Sequence, residues 1–457
     1  VNYSWEELAR LAGGRLLQSG TQRPVRAGVD SRGVSSGDLF VALAGEKTDG
    51  HVFLSSAVAN GAAGALVSQE TEGIPDGFGV IRCEDTLTAL QRLATAHRSH
   101  WGGRVVGVTG SNGKTTTKEI LAHLLRSFGK KVLATRGNLN SRIGLPLMLL
   151  ELEPEHTHAV LEMGASATGD IARLAAMAQP HLGVVTGIGR AHLEFFGEIE
   201  SVADAKWELV TALGESGVAF LNADDPRLMA RRPSARCGVV TFGQAPVADV
   251  RGETLRQDPQ TTFDLVAGLS RRSVRLPVPG LFNVTNALAA VSVALWERGT
   301  FLDLVRGLET FAPPPDRMQM RRRADGSLFV TDAYNANPDS MEASVSSFVE
   351  AFPYSPRVVV LGSMKELGDA SSSSHRELGE RLAQRRFFKI FFLGPEGADV
   401  QTGYERSGGK DPLWIGEDPT LLSKELAACL TPETAVLFKA SRSVRLESVF
   451  EPLLISH

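Results

Sequence analysis

Short apolar runs punctuated by glycine-containing turns recur along the chain, and between them apolar residues return every three or four positions. The first pattern marks buried strands and the second marks helices with one apolar face. In an N-terminal block, residues 25–29, 38–43 and 64–67 read as strands, with a helix near 52–60. A second block opens with the apolar burst 105–108 and a glycine-rich turn. The helix that follows carries Ile120, Leu121, Leu124, Leu125 and Phe128 on one face. Strand candidates follow at 159–162, 182–186 and 218–221, separated by helical stretches. The segment Phe311-Ala-Pro-Pro-Pro-Asp316 then reads as a stiff, extended linker. Beyond it, 328–331, 358–361, 390–393 and 435–438 alternate with helical segments. Such alternation predicts parallel sheets covered by helices on both faces. The expected class is α/β in three domains, 1–83, 84–312 and 313–457, the second and third doubly wound.

Composition narrows the class. With 457 residues, 43% hydrophobic and 22% charged, each domain can bury its own core, which excludes a globally disordered chain. The formal net charge of −4 offers no basic excess, so neither nucleic acid nor a membrane surface is expected as a partner. Cys83, Cys237 and Cys429 lie far apart, with no CxxC pair and no zinc spacing. That excludes a disulfide framework and fits a reducing cytoplasm. Apolar stretches such as 287–296 are too short to span a bilayer, and the first residues lack the pattern of a signal peptide. The expectation is a cytoplasmic monomer.

Candidate chemistry begins at Gly107-Val-Thr-Gly-Ser-Asn-Gly-Lys-Thr-Thr-Thr-Lys118. A buried strand runs into glycines whose bare backbone N–H groups can turn inward around a phosphate. The helix opened by Lys114 adds its positive end, Lys114 can reach the outer phosphates, and Thr115 can ligate Mg²⁺. Gly110, Ser111, Asn112, Gly113, Lys114, Thr115 and Thr116 are therefore candidate nucleotide contacts. The strict Gly-x-x-x-x-Gly-Lys spacing would need glycine at position 108, where Val108 stands. Glu162 ends a predicted strand, the place where doubly wound sheets present ligands, and His192 follows another.

Taken together, these segments resemble the ATP-dependent Mur ligases of peptidoglycan synthesis, along essentially the whole chain. The phosphate loop has the glycine spacing usual in that family. Asp332-Ala-Tyr-Asn-Ala-Asn-Pro-Asp-Ser-Met341, Leu361-Gly-Ser-Met-Lys-Glu-Leu-Gly368 and the following His375 resemble the branch joining D-alanyl-D-alanine to UDP-N-acetylmuramoyl-tripeptide. Asp30-Ser-Arg32, Gly37-Asp-Leu-Phe-Val-Ala-Leu-Ala-Gly45 and Asp49-Gly-His51 are similar to its UDP-sugar domain. Thr135-Arg-Gly-Asn-Leu-Asn-Ser-Arg-Ile-Gly-Leu-Pro146 is similar to its substrate loop. Two positions depart from the family pattern: Phe282 stands where a histidine is usual, and Ala440 where a glycine is usual.

The resemblance implies a UDP-sugar-binding N-terminal domain, a central ATP-binding P-loop domain and a C-terminal Rossmann-like domain. It implies substrate contacts from Ser31, Arg32, Asn138, Asn140, Ser141, Tyr334, Asn335 and Asn337, and nucleotide contacts from Asn286, Arg317 and Asp332. Two Mg²⁺ ions would be held by Thr115, Glu162, His192 and Lys206, the last as a carbamate formed with CO₂. Imidazole is a poor donor for so hard a cation, so Glu162 is the stronger candidate of the strand-end pair. The implied reaction is an ATP-driven amide condensation through an acyl phosphate. Rivals are the ligase adding the third residue, a folylpolyglutamate synthetase, and a nucleotide-dependent binding module without ligase activity.

Overall fold

A computed structural model describes residues 3–45, 48–190 and 193–455. The chain falls into two compact units: 1–107 with 130–165 and 169–182, and 108–129 with 166–168 and 183–457.

In the first unit, β1 (Arg15–Gln18), β2 (Ala27–Gly28), β3 (Leu39–Val41), β4 (Gly64–Val67) and β5 (Gly79–Arg82) form a sheet ordered β1-β5-β4-β3-β2. β2 to β5 pair in parallel and β1 runs antiparallel to β5. The helix Trp5–Ala12 is fixed at its start by a capping box between Ser4 and Glu7. Its Trp5 ring lies on paired Gly64 and Gly79, where any Cβ would come within 2.3 Å of the indole. Phe40, Ala65, Val67 and Val80 face Leu54 and Ala57 of the helix Leu54–Ala59 to make the core. The predicted strand at 25–29 shrinks to two residues, and the predicted helix at 52–60 begins as a 3₁₀ turn over Gly50–Phe53.

β6 (Arg104–Thr109) leads into the second unit. β7 (Val132–Ala134) and β8 (His158–Glu162) pair in parallel in the first, and β9 (Leu182–Val185) leads out of it again. In the second unit β10 (Val218–Asn222), β11 (Gly238–Gly243), β12 (Val250–Asp258), β13 (Gln260–Ala267) and β14 (Ser270–Leu276) lie side by side. The first three are parallel, but β12, β13 and β14 form an antiparallel ribbon. This corrects the expectation of purely parallel sheets. The ribbon has one solvated face, so its strands alternate, as in Thr262-Phe-Asp-Leu and Ser273-Val-Arg-Leu276, instead of running apolar throughout. The helix Phe282–Trp296 is buried on nearly every side between this sheet and the helix Lys114–Ser127. Phe128, expected on the latter helix's apolar face, instead caps its end, half-buried against Gly299.

A further sheet is ordered β15-β16-β20-β17-β18-β19, from Gln319–Arg322, Leu328–Thr331, Arg357–Gly362, Lys389–Leu393, Leu413–Gly416 and Ala435–Lys439 in chain order. Only the edge strand β15 is antiparallel. Phe329, Val358, Val360, Phe391, Val436 and Phe438 pack with Val449 and Phe450 of the helix Glu447–Ile455. Ala440 is completely buried beyond β20, and a Cβ at Gly362 would lie 2.8 Å from its methyl group. The extra methyl group at 440 is thus met by a glycine on the neighbouring strand.

Candidate active site

β6 ends in the glycine-rich turn, and both internal glycines are required by contact as well as by dihedral. Gly110 has φ +142°, and a Cβ there would lie 1.9 Å from Thr186 Oγ1. Gly113, at φ +80°, would strike Asn286 Oδ1 at 2.1 Å. Only a residue without a side chain lets the loop close this tightly. Lys114 opens the helix and bends back over the loop, its Nζ donating to Gly110 O at 2.7 Å and Ser111 O at 3.2 Å. Thr116 and Thr117 are buried behind it.

The neighbouring elements brace this loop. Thr186 Oγ1 donates to Asn112 O at 2.5 Å, and Ser111 N–H donates to Gly187 O at 2.9 Å. Asn286, expected as a nucleotide contact, lies buried beneath the loop. It accepts from Thr117 Oγ1 at 3.4 Å, and its amide donates to Asn283 Oδ1 at 3.0 Å. Phe282 turns its ring against Gly280, whose added Cβ would lie 2.8 Å away.

Three of the C-terminal candidates reach the same place. Arg317 Nη2 donates to Thr115 Oγ1 at 3.2 Å while its guanidinium sits 4.1 Å from the centre of the Tyr334 ring. Asn337 caps the helix Pro338–Ala351, and its Nδ2 donates to Asn112 Oδ1 at 2.8 Å. Asn335 instead folds its side-chain oxygen onto its own chain, accepting from Ala336 N–H at 2.9 Å. Asp332 is buried and taken up by two donors, Lys439 Nζ at 2.6 Å and Ser344 Oγ at 2.5 Å. Lys439 also donates to Asn335 O at 3.1 Å, so the pair fixes the turn carrying Tyr334, Asn335 and Asn337. Burial holds the Lys439 ammonium below its ordinary value, against the opposing pull of Asp332. Sequence reasoning passed over Lys439 as a functional partner; a lysine closing the apolar run 435–438 was the available signal.

His375, flagged beside the 361–368 motif, is fully buried. Its Nε2 accepts from Met364 N–H at 3.0 Å, and Nδ1 donates to Ser371 O at 2.8 Å. Burial pushes its pKa below the ordinary 6.5, although Ser371 O, Glu396 and Asp399 favour the cation. The folded value therefore lies below the unfolded one. The stabilisation is complete above about pH 6.5 and is lost as pH falls through the lower folded value. Unfolding free energies from denaturant titrations between pH 8 and pH 5 should fall more steeply for the wild type than for His375→Gln, by up to about 1.4 kcal/mol per pH unit. Parallel curves would remove His375 from this role.

The remaining candidates lie elsewhere. In the first unit Glu162 ends β8, buried, and accepts from Asn140 Nδ2 at 2.8 Å. Asn138 O accepts from Asn140 N–H at 2.8 Å, and Ser141 Oγ accepts from Gly144 N–H at 3.4 Å, at the start of the helix Gly144–Leu149. Ser31 is buried, while the Arg32 side chain is 88% exposed and paired with Asp30 at 2.8 Å. Arg32's hydrogen bonds draw the Asp30 carboxyl down to about 2. In the second unit Lys206 lies on the helix Ile199–Ala212, 2% exposed, with Nζ 5.7 Å from the centre of the Phe196 ring. His192 lies outside the described residues. Among the described residues no group of three His, Cys, Asp or Glu side chains is arranged to hold a metal ion. The donor types at Thr115 and Glu162, hydroxyl and carboxylate, are those a hard cation takes.

Comparison with known proteins adds to this geometry. Family models match at residues 26–98 (Mur ligase family, catalytic domain), 108–294 (Mur ligase middle domain) and 316–442 (Mur ligase, glutamate ligase domain). The UDP-N-acetylmuramoyl-tripeptide–D-alanyl-D-alanine ligase of Bacillus subtilis is 34% identical over 99% of this chain and 98% of its own. The Escherichia coli ligase of the same name is 34% identical over 93% and 92%. Among solved structures, MurF from Acinetobacter baumannii is similar at a TM-score of 0.89, with 32% identity and 99% of each chain covered. MurF ligase from Thermotoga maritima, in complex with ADP, has a TM-score of 0.82 and 34% identity over 93% and 96% of the two chains.

Proposed function

The chain belongs to the Mur ligase family, and from that premise we propose that it is an ATP-dependent ligase joining UDP-N-acetylmuramoyl-tripeptide to D-alanyl-D-alanine in peptidoglycan precursor synthesis. The observation that carries the reading is end-to-end similarity to ligases bearing that name, at a third identity. The phosphate loop is the part of the fold that suits it best, with Arg317, Tyr334 and Asn337 arriving at its edge. We divide the chain into a UDP-sugar domain at 1–83, a P-loop domain at 84–312 and a Rossmann-like domain at 313–457. The family matches at 108–294 and 316–442 lie inside the second and third of these, whereas the first, 26–98, runs past residue 83. No helix among the described residues is long and apolar enough to cross a membrane, and we place the enzyme in the cytoplasm as a monomer.

In the first half-reaction the tripeptide's terminal carboxylate oxygen attacks the γ-phosphorus of ATP, and the bond to ADP breaks. In the second, the amine of D-alanyl-D-alanine adds to the carbonyl carbon of the resulting acyl phosphate, loses a proton, and phosphate departs. Backbone N–H groups of Asn112 and Gly113 and the helix that Lys114 opens are suited to cradle the nucleotide's phosphates. Lys114 supplies the mobile positive charge that follows the transferring phosphoryl group. Arg317, stacked on Tyr334, adds a second cation beside Thr115. Mg²⁺, when bound, neutralises charge on the β- and γ-phosphoryl oxygens. Following the family resemblance, we assign its donors to Thr115, Glu162, His192 and carbamoylated Lys206. The first-unit residues Ser31, Arg32, Asn138, Asn140 and Ser141 are assigned to the nucleotide-sugar peptide.

Acceptor choice tests the reading. With the UDP-tripeptide and ATP supplied, phosphate release should be about 10²-fold faster with D-alanyl-D-alanine than with any single amino acid, because a site built for a dipeptide leaves polar groups unpaired around a shorter acceptor. Faster release with D-glutamate or diaminopimelate would move the protein to another branch of the family.

A further inference from the structure

After β9 the chain runs beside the phosphate loop and ends in an ion cluster that the reaction above leaves unused. Gly189 N–H donates to Ser111 Oγ at 2.8 Å, and that hydroxyl donates back to Gly189 O at 3.1 Å. With the Thr186 and Gly187 contacts already described, three of the four residues 186–189 are tied to the loop, while Ile188 N–H donates to Asp225 Oδ2 at 2.6 Å. Arg190 then turns to the C-terminal helices. Its N–H donates to Asp339 Oδ2 at 2.6 Å, its Nε to Asp339 Oδ1 at 2.9 Å, and its Nη1 to Glu377 Oε2 at 2.9 Å. Asp339 sits in the first turn of the helix Pro338–Ala351, where the helix end favours a carboxylate. A Cβ at Gly189 would lie 2.7 Å from Asp339 Oδ2, so the carboxylate rests on bare backbone.

The acidic partners are themselves held. Arg381 bridges Glu377 and Glu342, and Arg385 closes on Glu342 and on Ser346 Oγ, the latter at 2.8 Å. These ties join the helices Pro338–Ala351 and Ser371–Ala383 into one charged frame. Arg190, Asp339 and Glu377 are each about one-third exposed. A lone ion pair so placed contributes little to stability. Its effect is on register, because misplacing groups at a reacting centre by about 1 Å costs about 10²-fold in rate.

We propose that Arg190, with Asp339 and Glu377, is a clamp that sets the two C-terminal helices against the phosphate loop, making Arg190 a positioning residue for ligation. The proposal rests on the ligase reading. It accounts for how Asn337, adjacent to Asp339's turn, is brought to Asn112, and for why the loop at 186–190 is bonded to the phosphate loop on one side and to these helices on the other.

The test is a double-mutant cycle with Arg190→Ala, Asp339→Asn and the two combined. Ligation kinetics, ADP affinity by calorimetry, and hydrogen exchange at 186–190 and 338–342 are measured for each. Each single change should lower kcat/KM for D-alanyl-D-alanine by about tenfold, and the combined variant should be no worse than about threefold below the poorer single, as for residues acting as one unit. ADP affinity should stay within about threefold of wild type, with faster exchange confined to the two segments; Arg190→Lys, which keeps the charge and loses the fork, should recover part of the rate. Multiplying single effects, a parallel loss of ADP binding, or unchanged exchange and kinetics would overturn the clamp. A wild-type protein that makes no product would overturn the ligase reading instead, and the exchange data would still decide the clamp.

Discussion

Lys114→Ala is expected to slow ATP-dependent amide formation by about 10²–10³-fold, the usual loss when one preorganised charge is taken from a transferring group. The side chain is half-buried, and it donates to carbonyl oxygens of its own loop, Gly110 O and Ser111 O. Those contacts hold the ammonium over the place where phosphates would enter, and exchange for phosphoryl oxygens needs only rotation of the side chain. Little of the fold depends on it. The helix Lys114–Ser127 is anchored by Ile120, Leu121, Leu124 and Leu125, and Gly113 keeps its fit against Asn286. The variant should therefore melt within a few degrees of wild type while turnover collapses. Measured turnover within about threefold of wild type would reject the placement of ATP at this loop.

Much of the architecture was legible because parallel strands buried on both faces read as continuous apolar runs. Gly64–Val67 and Leu328–Thr331 coincide with their predicted spans, and the runs at 358–361, 390–393 and 435–438 each extend by a residue or two. Strands whose side chains alternate were not seen. β12 to β14 carry Thr, Asp, Ser and Arg on a solvated face, and β1 and β15 are short edge strands rich in Arg and Gln. Apolar-run reading is blind to both. The ribbon's turns, Asp258-Pro-Gln260 and Gly268-Leu269, were the local signal that a period-two pattern surrounded them.

At the site, legibility followed the distance over which each feature is encoded. The phosphate loop is local: strand, glycines, lysine and helix lie in one stretch, and the structure adds only why Gly110 and Gly113 cannot carry side chains. Pairings across a hundred residues or more had no such signal. Asp332 was singled out as a nucleotide contact, yet its charge is balanced by Lys439, 107 residues away. Arg190 and Asp339 pair across 149 residues, and neither was singled out from the sequence. Asn286 was assigned through a motif, and the structure places its amide under the loop, where Thr117 and Asn283 hold it.

Lys206→Ala should be nearly inactive, and the argument turns on what a lysine is doing in that place. Its side chain is 2% exposed on the helix Ile199–Ala212, among buried Val202, Ala203, Leu209 and Val210, with the Phe196 ring 5.7 Å from Nζ. A plain ammonium would repel a Mg²⁺ ion bound beside it. Carbamoylation would reverse that repulsion: the neutral amine would add to CO₂, lose a proton, and become a carboxylate-like donor suited to a hard cation. The reaction requires an unprotonated amine. In Lys206→Ala, short carboxylates added to the assay should partly restore turnover by taking the vacated space. Lys206→Arg should not be rescued, because its charge and bulk still fill the site. A second readout is independent of catalysis. After equilibration with ¹³C-bicarbonate, the wild type should show a protein-bound carbamate carbon signal that Lys206→Ala lacks. Circular dichroism of both variants guards against unfolding as the cause. Full activity in Lys206→Ala, or an identical ¹³C spectrum in wild type and variant, would leave Lys206 as a buried structural lysine.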